Sequence, residues 1–275
     1  MEINPEIIRY YTNSRIELDR LNIGHSQFEK ARTQQTIKRY LNKPHLKVLD
    51  VGGGVGTYSL WLSELGHEVH MIDPVPLHIE EAKKLSQRSD RPVTSINLGE
   101  SRALDFKDEY FDIVLLLGPL YHLTRKEERI AALLEAKRVT CNCGTLFCAA
   151  ISRFAFLFDV FFHDIMEVNK KTIDAVERHI RTGQIRNPGE QPGSFTTAYA
   201  HQVEELKAEI AEAGFNLKEL IGLDGLGWLI PDFERKWHQN EFKESLLSIS
   251  RNLETQESIL GMSAHFMAIA NKPGK

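Results

Sequence analysis

Chemistry in this chain centres on Asp50-Val51-Gly52-Gly53-Gly54-Val55-Gly56-Thr57, where an acid is followed by four glycines within five residues. Glycines lack a Cβ, so the chain can turn tightly and a ligand can approach bare backbone. A helix opening just after such a turn would offer unpaired N–H groups to that ligand. A second acid, Asp73, stands about 20 residues further on, a spacing suited to hydrogen bonding both hydroxyls of a ribose. Together these residues predict a site for a nucleoside-containing small molecule. The glycine phase narrows the choice, because a dinucleotide site wants G-x-G-x-x-G. Counting from Gly52 puts Thr57 in the third position, and counting from Gly54 puts Ser59 there. The frame that fits is acid-x-Gly-x-Gly-x-Gly, read as Asp50, Gly52, Gly54 and Gly56.

The elements that must position these residues are legible on either side. Lys47 to Val51 reads as a β-strand feeding the turn, Tyr58 to Leu65 as a helix, and Glu68 to Ile72 as a second strand ending on Asp73. Pro74 and Pro76 stiffen the exit, a helix follows over Leu77 to Gln87, and Val93 to Asn97 is a short third strand before Gly99-Glu100-Ser101. Phe111 to Leu117 is a continuous apolar run of the kind a central parallel strand needs, and it ends in Gly118-Pro119-Leu120-Tyr121-His122. Thr124 to Glu127 has the spacing of a capping box opening the next helix, and Gly144 to Ile151 is the fifth strand. Alternating strands and helices predict an α/β fold with a doubly wound parallel sheet. On such sheets ligands sit at the carboxyl ends of the strands, where Gly52, Asp73, Glu100 and Gly118 all fall.

The ends of the chain differ in character. Residues 4 to 42 read as helical with a break near Asn22-Ile23-Gly24. Phe154 to Met166 reads as one helix apolar nearly all round, followed by a polar helix to Arg181 and a Gly/Pro loop. We read 152–200 as a helical lid over the site, with a dimer contact as the competing explanation for its aromatic residues. Val203 to Ala213 is a helix ended by Gly214, Phe215 to Leu223 and Ser263 to Ala270 are the last two strands, and Trp237 to Leu253 is a further helix.

The motif Asp50-x-Gly52-x-Gly54-x-Gly56, with Asp73 and the strand ending at Gly118, resembles the class I S-adenosylmethionine-dependent methyltransferases. The resemblance is closest over residues 46 to 150. It implies a Rossmann-like seven-stranded sheet with the last strand antiparallel, in one methyltransferase domain: cap 1–44, cofactor core 45–151, lid 152–200 and sheet completion 201–275. It implies S-adenosyl-L-methionine as cofactor, held by Asp50, Gly52, Gly53, Gly54, Gly56, Asp73, Pro74, Glu100, Ser101 and Gly118. Asp73 would take the ribose, Asp50 the methionine portion through backbone or water, and Glu100 with Ser101 the adenine. From the cap, Tyr11, Arg32 and Thr33 would reach the cofactor carboxylate or the acceptor. Tyr121, Tyr199 and Phe158 are candidate acceptor contacts, and His122, then His201, candidate bases, since imidazole titrates near neutrality. Amino-methylating relatives often carry Asn/Asp-Pro-Pro-Tyr after strand four. Gly118-Pro119-Leu120-Tyr121 lacks that acceptor side chain, which favours O-, C- or N-methylation of a partly apolar small molecule.

Composition agrees with that class. The chain has 275 residues, 42% hydrophobic and 26% charged, with net charge −4 and pI near 6.3. This balance argues against a dedicated nucleic-acid or anionic-membrane binder. Met1-Glu-Ile-Asn-Pro carries no secretion signal and no apolar run approaches a membrane span, so a cytoplasmic monomer or homodimer is expected. Cys141, Cys143 and Cys148 lack a second ligand pair at zinc spacing and read as reduced thiols, with no metal. The alternatives are an RNA or protein methyltransferase using the basic stretch Arg178 to Arg186, a nucleotide-dependent oxidoreductase, and a non-catalytic S-adenosylmethionine-binding regulator.

Overall fold

Strand β1 (Lys47–Val51) lies inside a seven-stranded sheet, between β2 and β4. The others are β2 (Glu68–Asp73), β3 (Ser95–Leu98), β4 (Phe111–Leu116), β5 (Thr140–Ile151), β8 (Asn216–Gly222) and β9 (His265–Asn271). In this computed structural model, which describes residues 3–14, 16–187 and 195–274, their order is β3-β2-β1-β4-β5-β9-β8. Strands β1 to β5 are parallel, and β9 runs antiparallel to both β5 and β8. The sheet is therefore the Rossmann-like doubly wound one, with the antiparallel strand at the expected end. Two short strands, β6 (Gln184–Ile185) and β7 (Ala198–Tyr199), form a separate hairpin-like pair that the sequence did not show.

Side chains alternate across the sheet, and each face carries its own core. Leu49, Val114 and Leu116 face α6 (Lys126–Val139) and α9 (Val203–Glu212). Val48, Ile113 and Leu115 face the opposite layer, which includes α2 (Ser26–Lys38), α3 (Thr57–Glu64) and α4 (Pro76–Ser86). Helix α1 (Pro5–Ser14) and two short 3-10 turns, Ile16–Leu18 and Arg20–Asn22, precede α2. The remaining helices are α5 (Pro119–His122), α7 (Ala155–Phe162), α8 (Lys170–Thr182), α10 (Phe233–Trp237), α11 (Asn240–Leu253) and α12 (Glu257–Leu260). Among the described residues no helix is long and apolar enough to cross a membrane. The three cysteines are free thiols.

Several local expectations need correction. The apolar helix stops at Phe162, so Ile165 and Met166 lie in the following loop; Phe161 and Phe162 remain 48% and 60% exposed. The helix expected over Trp237 to Leu253 is two helices, because Phe233 and Trp237 stack and anchor α10 against Phe28. The Thr124 capping box does not form: α6 starts after Arg125, and the Thr124 carbonyl accepts from Gln184 Nε2. Strand β5 begins four residues early, at Thr140.

Candidate active site

The turn after β1 spends its own hydrogen-bond donors inside the protein. The N–H groups of Gly52 and Gly53 both donate to the Ile72 carbonyl, and that of Gly54 donates to Asp73 Oδ2 at 2.9 Å. Asp50, fully buried, accepts from Ser59 Oγ at 2.7 Å and from the Ser59 backbone, so it caps the N-terminus of α3. Burial pushes its carboxyl up to about 6, against the pull of those bonds. The expectation of free N–H groups awaiting a ligand is thus overturned for these three glycines. An anion is already built in, where a dinucleotide site would leave donors for pyrophosphate. Gly52 has φ +72, and a Cβ there would lie 2.8 Å from Pro119 Cγ, so turn and strand-four exit close on each other. Gly56, also left-handed, packs on Ala82 and Met71 instead of facing a cavity.

Beside this turn lies a cavity of about 320 Å³, lined by Tyr11, Gly52, Gly54, Asp73, Pro74, Glu100, Ser101, Gly118, Tyr121 and His122. The structure therefore gathers most of the sequence-predicted cofactor set in one place. Asp73 accepts from Val75 N and from His78 Nδ1, each at 2.9 Å, which locks its carboxylate at the end of β2. Arg102 grips Glu100 Oε2 at 2.7 Å, while Glu100 Oε1 is buried without a hydrogen-bond partner among the described residues. A buried orphan acceptor needs a donor, and an adenine amino group supplies one. Ribose at Asp73 and adenine at Glu100 are consistent with the residues present.

A larger cavity of about 990 Å³ opens on the other side, between the cap and α7–α8. Its near wall is aromatic, with Tyr10 and Tyr121 each in ring contact with Phe195. A third, small cavity of about 60 Å³ lies beside Gly52 to Gly54 and includes Thr33 and Asp50. Glu17 and Tyr121 line all three cavities, so they mark the seam between them. Arg20 and His265 line both the large and the small one. Arg20 Nε and Nη1 bond Glu17 and Glu29 at 3.1 and 2.9 Å. The seam's three carboxylates (Glu17, Glu29 and Asp224) outnumber its one guanidinium (Arg20) by two, so either a protonated His265 or a ligand of net charge +1 offsets one of the two.

His122 is placed at the site but occupied. Its Nδ1 faces the Thr197 carbonyl at 3.4 Å, so Nε2 holds the lone pair and accepts from the Tyr11 hydroxyl at 2.8 Å. Burial pushes this imidazole down to about 4. His201 is not at the site: it is completely buried, its Nε2 donating to Glu209 at 3.2 Å within the Arg129–Glu209 ion pair. Tyr199 lies there too, its ring under the Arg129 guanidinium. Arg32 is a core cation paired with Glu254 and bonded to the Leu223 carbonyl, away from every cavity described above. Phe158 packs edge-on against Trp228, and Phe156 is the ring that lines the large cavity. A lone charged residue inside a helical pattern does not reveal which face it takes, and Arg32 illustrates this.

Sequence reasoning missed Glu17, Arg20, Glu29, Asp224 and His265. Asp224 follows β8, and His265 opens β9. Because β9 is antiparallel, its first residue falls at the edge where the parallel strands end, a signal available once the last strand is assigned.

Residues 49–148 match the family model described as a methyltransferase domain, and the chain has the fold of the class I S-adenosylmethionine-dependent methyltransferases. Among curated relatives, a ubiquinone/menaquinone biosynthesis C-methyltransferase of Neisseria meningitidis is 32% identical over 122 residues, 41% of this chain and 47% of that protein. A ubiquinone biosynthesis O-methyltransferase of Methylocella silvestris is 33% identical over 87 residues, 31% of this chain and 34% of that one. The chain thus spans about half the length, or less, of these relatives. Among solved structures, a Pyrococcus horikoshii protein, PH0226, superposes with TM-score 0.61 at 16% identity, covering 95% of this chain and 97% of that one. A [4+2]-cyclase, SpnF, superposes at 0.58 and 15%, covering 92% and 84%.

Proposed function

We propose that the protein transfers a methyl group from S-adenosyl-L-methionine to a small-molecule acceptor, at oxygen, carbon or nitrogen. The observation that carries this reading is the pair of abutting cavities. One is lined by Asp73 and the orphan Glu100 Oε1, the other has an aromatic wall, and Tyr121 and Glu17 stand where they meet. Bound, the cofactor would supply an electrophilic methyl on a positively charged sulfur. Asp73 and Glu100 would hold its nucleoside, and Arg20, with Nη2 unbonded among the described residues, would take its carboxylate. The remaining task of the chain is positioning and exclusion of water, which supply much of the acceleration in such displacements. The aromatic, partly apolar wall of the large cavity and the quinone-pathway names of the relatives support a ring-bearing acceptor over a macromolecule. Thermal melts should show stabilisation by S-adenosylmethionine and S-adenosylhomocysteine but not by NADH. Mass spectrometry of a cell extract incubated with protein and cofactor should then show a small molecule gaining one methyl. Stabilisation by NADH alone would overturn the cofactor assignment, and a methylated protein or RNA with no methylated metabolite would overturn the acceptor class.

A further inference from the structure

A methyl acceptor bearing O–H or N–H must lose a proton, and the structure shows where a group of this chain could take it. His122 has its lone pair tied up by Tyr11, and His201 lies in the buried Arg129–Glu209 pair. His78 is held by Asp73 on the nucleoside side. His179 lines only the large cavity, buried under Phe156. His265 alone among these lines both the acceptor cavity and the small cavity beside the glycine turn. Its orientation is fixed: Nδ1 lies 3.1 Å from Asp224 Oδ2, and its own backbone N–H donates to the same oxygen at 2.8 Å. Nε2 is thereby left without a hydrogen bond among the described residues.

We propose that the His265–Asp224 pair is the proton acceptor for the methyl-accepting group, and that His265 gives up its own proton when the cofactor binds. This rests on the methyltransferase reading above. The charged and titratable groups sharing the small cavity or in contact with His265 are Asp224 after β8, Glu29 on α2, Arg20 with Glu17 from the 3-10 turns, Asp50 on β1, Tyr58 on α3 and Tyr121 on α5. Donor atoms of Glu29, Asp224 and His265 all lie within 4.8 Å of one another. Burial opposes the imidazolium, but Glu29 and Asp224 outweigh it and hold the ring protonated, up to about 9. The proton on His265 therefore serves as a counter-charge for a seam rich in carboxylates. A bound cation at that seam takes over this role, and His265 becomes a neutral base. During transfer the acceptor's lone pair forms the new bond to the methyl carbon. The sulfur keeps the pair of the bond that breaks, and Nε2 takes the proton the acceptor loses. The seam's total charge is the same before and after, because a proton on His265 replaces the charge lost at sulfur. The acceptor class that follows is a phenol, enol, carboxylic acid or amine, whose reacting atom carries a proton.

Calorimetric titration with S-adenosylmethionine and with S-adenosylhomocysteine near pH 7.5, each in two buffers of different ionisation enthalpy, counts the protons released. The charged ligand should release about one proton more than the neutral one, as linkage to a single group requires. The difference should vanish in His265→Gln and shrink in Asp224→Asn. Imidazole resonances of the wild-type protein give an independent readout: His265 should be protonated with the neutral ligand and deprotonated with the charged one. Equal proton release for the two ligands, or a difference that survives in His265→Gln, would overturn the proposal while leaving cofactor binding intact. Failure of both ligands to bind would instead remove the methyltransferase reading, and this inference with it.

Discussion

Asp73 is already engaged before any ligand arrives: it accepts from Gly54 N, Val75 N and His78 Nδ1. Its carboxylate is thus a structural tie between the turn and β2 as well as the proposed ribose acceptor, and substitution should strike both roles. Asp73→Asn swaps one acceptor oxygen for a donor amide that faces N–H groups. Loss of hydrogen bonds to a charged group costs roughly 1.5–3 kcal/mol, so S-adenosylhomocysteine should bind roughly tenfold to a hundredfold more weakly by calorimetry. Unchanged affinity would remove Asp73 from the site. Arg20 can be tested more selectively. Arg20→Gln should weaken S-adenosylhomocysteine by a similar factor yet leave 5′-methylthioadenosine, which has no amino-acid carboxylate, nearly unaffected. An equal loss for both would mean that Arg20 only supports Glu17 and Glu29.

Helix α1, α5 and the segment before β7 are joined by one short relay in which Tyr11 donates to His122 and His122 to the Thr197 carbonyl. The Thr197 hydroxyl also donates to Glu6 on α1. Tyr11 and His122 line the cavity proposed to hold the nucleoside, so the relay and that site share a wall. Tyr11→Phe leaves the half-buried His122 without its partner at Nε2, at a cost of up to roughly 1–3 kcal/mol. Hydrogen exchange should then accelerate over residues 5–14, most visibly without ligand; unchanged protection would show that the relay does not hold the cap. Exchange over 155–187, with and without S-adenosylhomocysteine, likewise tests the covering role of α7 and α8: increased protection supports a lid, and constant protection favours an oligomer contact through Phe161 and Phe162. Those elements also show how far the sequence could be read. Strand β1, the turn and β4 were legible because glycines and unbroken apolar runs are local signals. The β6–β7 pair, the break before α11 and the position of His201 depend on contacts between distant segments, such as Ser152 bridging His201. The site divides the same way. Residues at the ends of parallel strands were found from spacing, whereas Arg20, Glu29 and His265 meet only after the cap folds across the sheet edge.

For the molecule as a whole, His122, His179, Asp50 and His265 carry the largest shifts near neutral pH; His25, His67 and His201, each lowered first by burial, add to the acid side, and His163, raised first by its bond to Asp159, opposes them. His122 and His179 are pushed down to about 4, each first by burial, from a usual value of 6.5. Between pH 4 and 6.5 the unfolded chain binds these two protons and the folded chain does not, so stability is full above 6.5 and falls on acidification. Asp50, pushed up to about 6 from 3.8 by burial, acts in the opposite direction between those values, because there the folded state is the one holding a proton. Two protons against one leaves a net of one from these three groups, which together should lower stability by roughly 1.4 kcal/mol per pH unit between 6 and 4. His265 governs the other limb. Its folded value, about 9, lies above 6.5, so its contribution is complete below 6.5 and is lost as pH rises through 9. The melting temperature should therefore peak near pH 6.5 and drop by several degrees by pH 4.5, since a chain of this size shifts by roughly 2–4 °C per kcal/mol. Calorimetric melts from pH 4 to 9 would check this, with His179→Gln expected to flatten the acid limb and His265→Gln the alkaline one. An alkaline limb unchanged in His265→Gln would show that the imidazole is not held protonated by Asp224 and Glu29, and would remove the charge balance on which its role as a base depends.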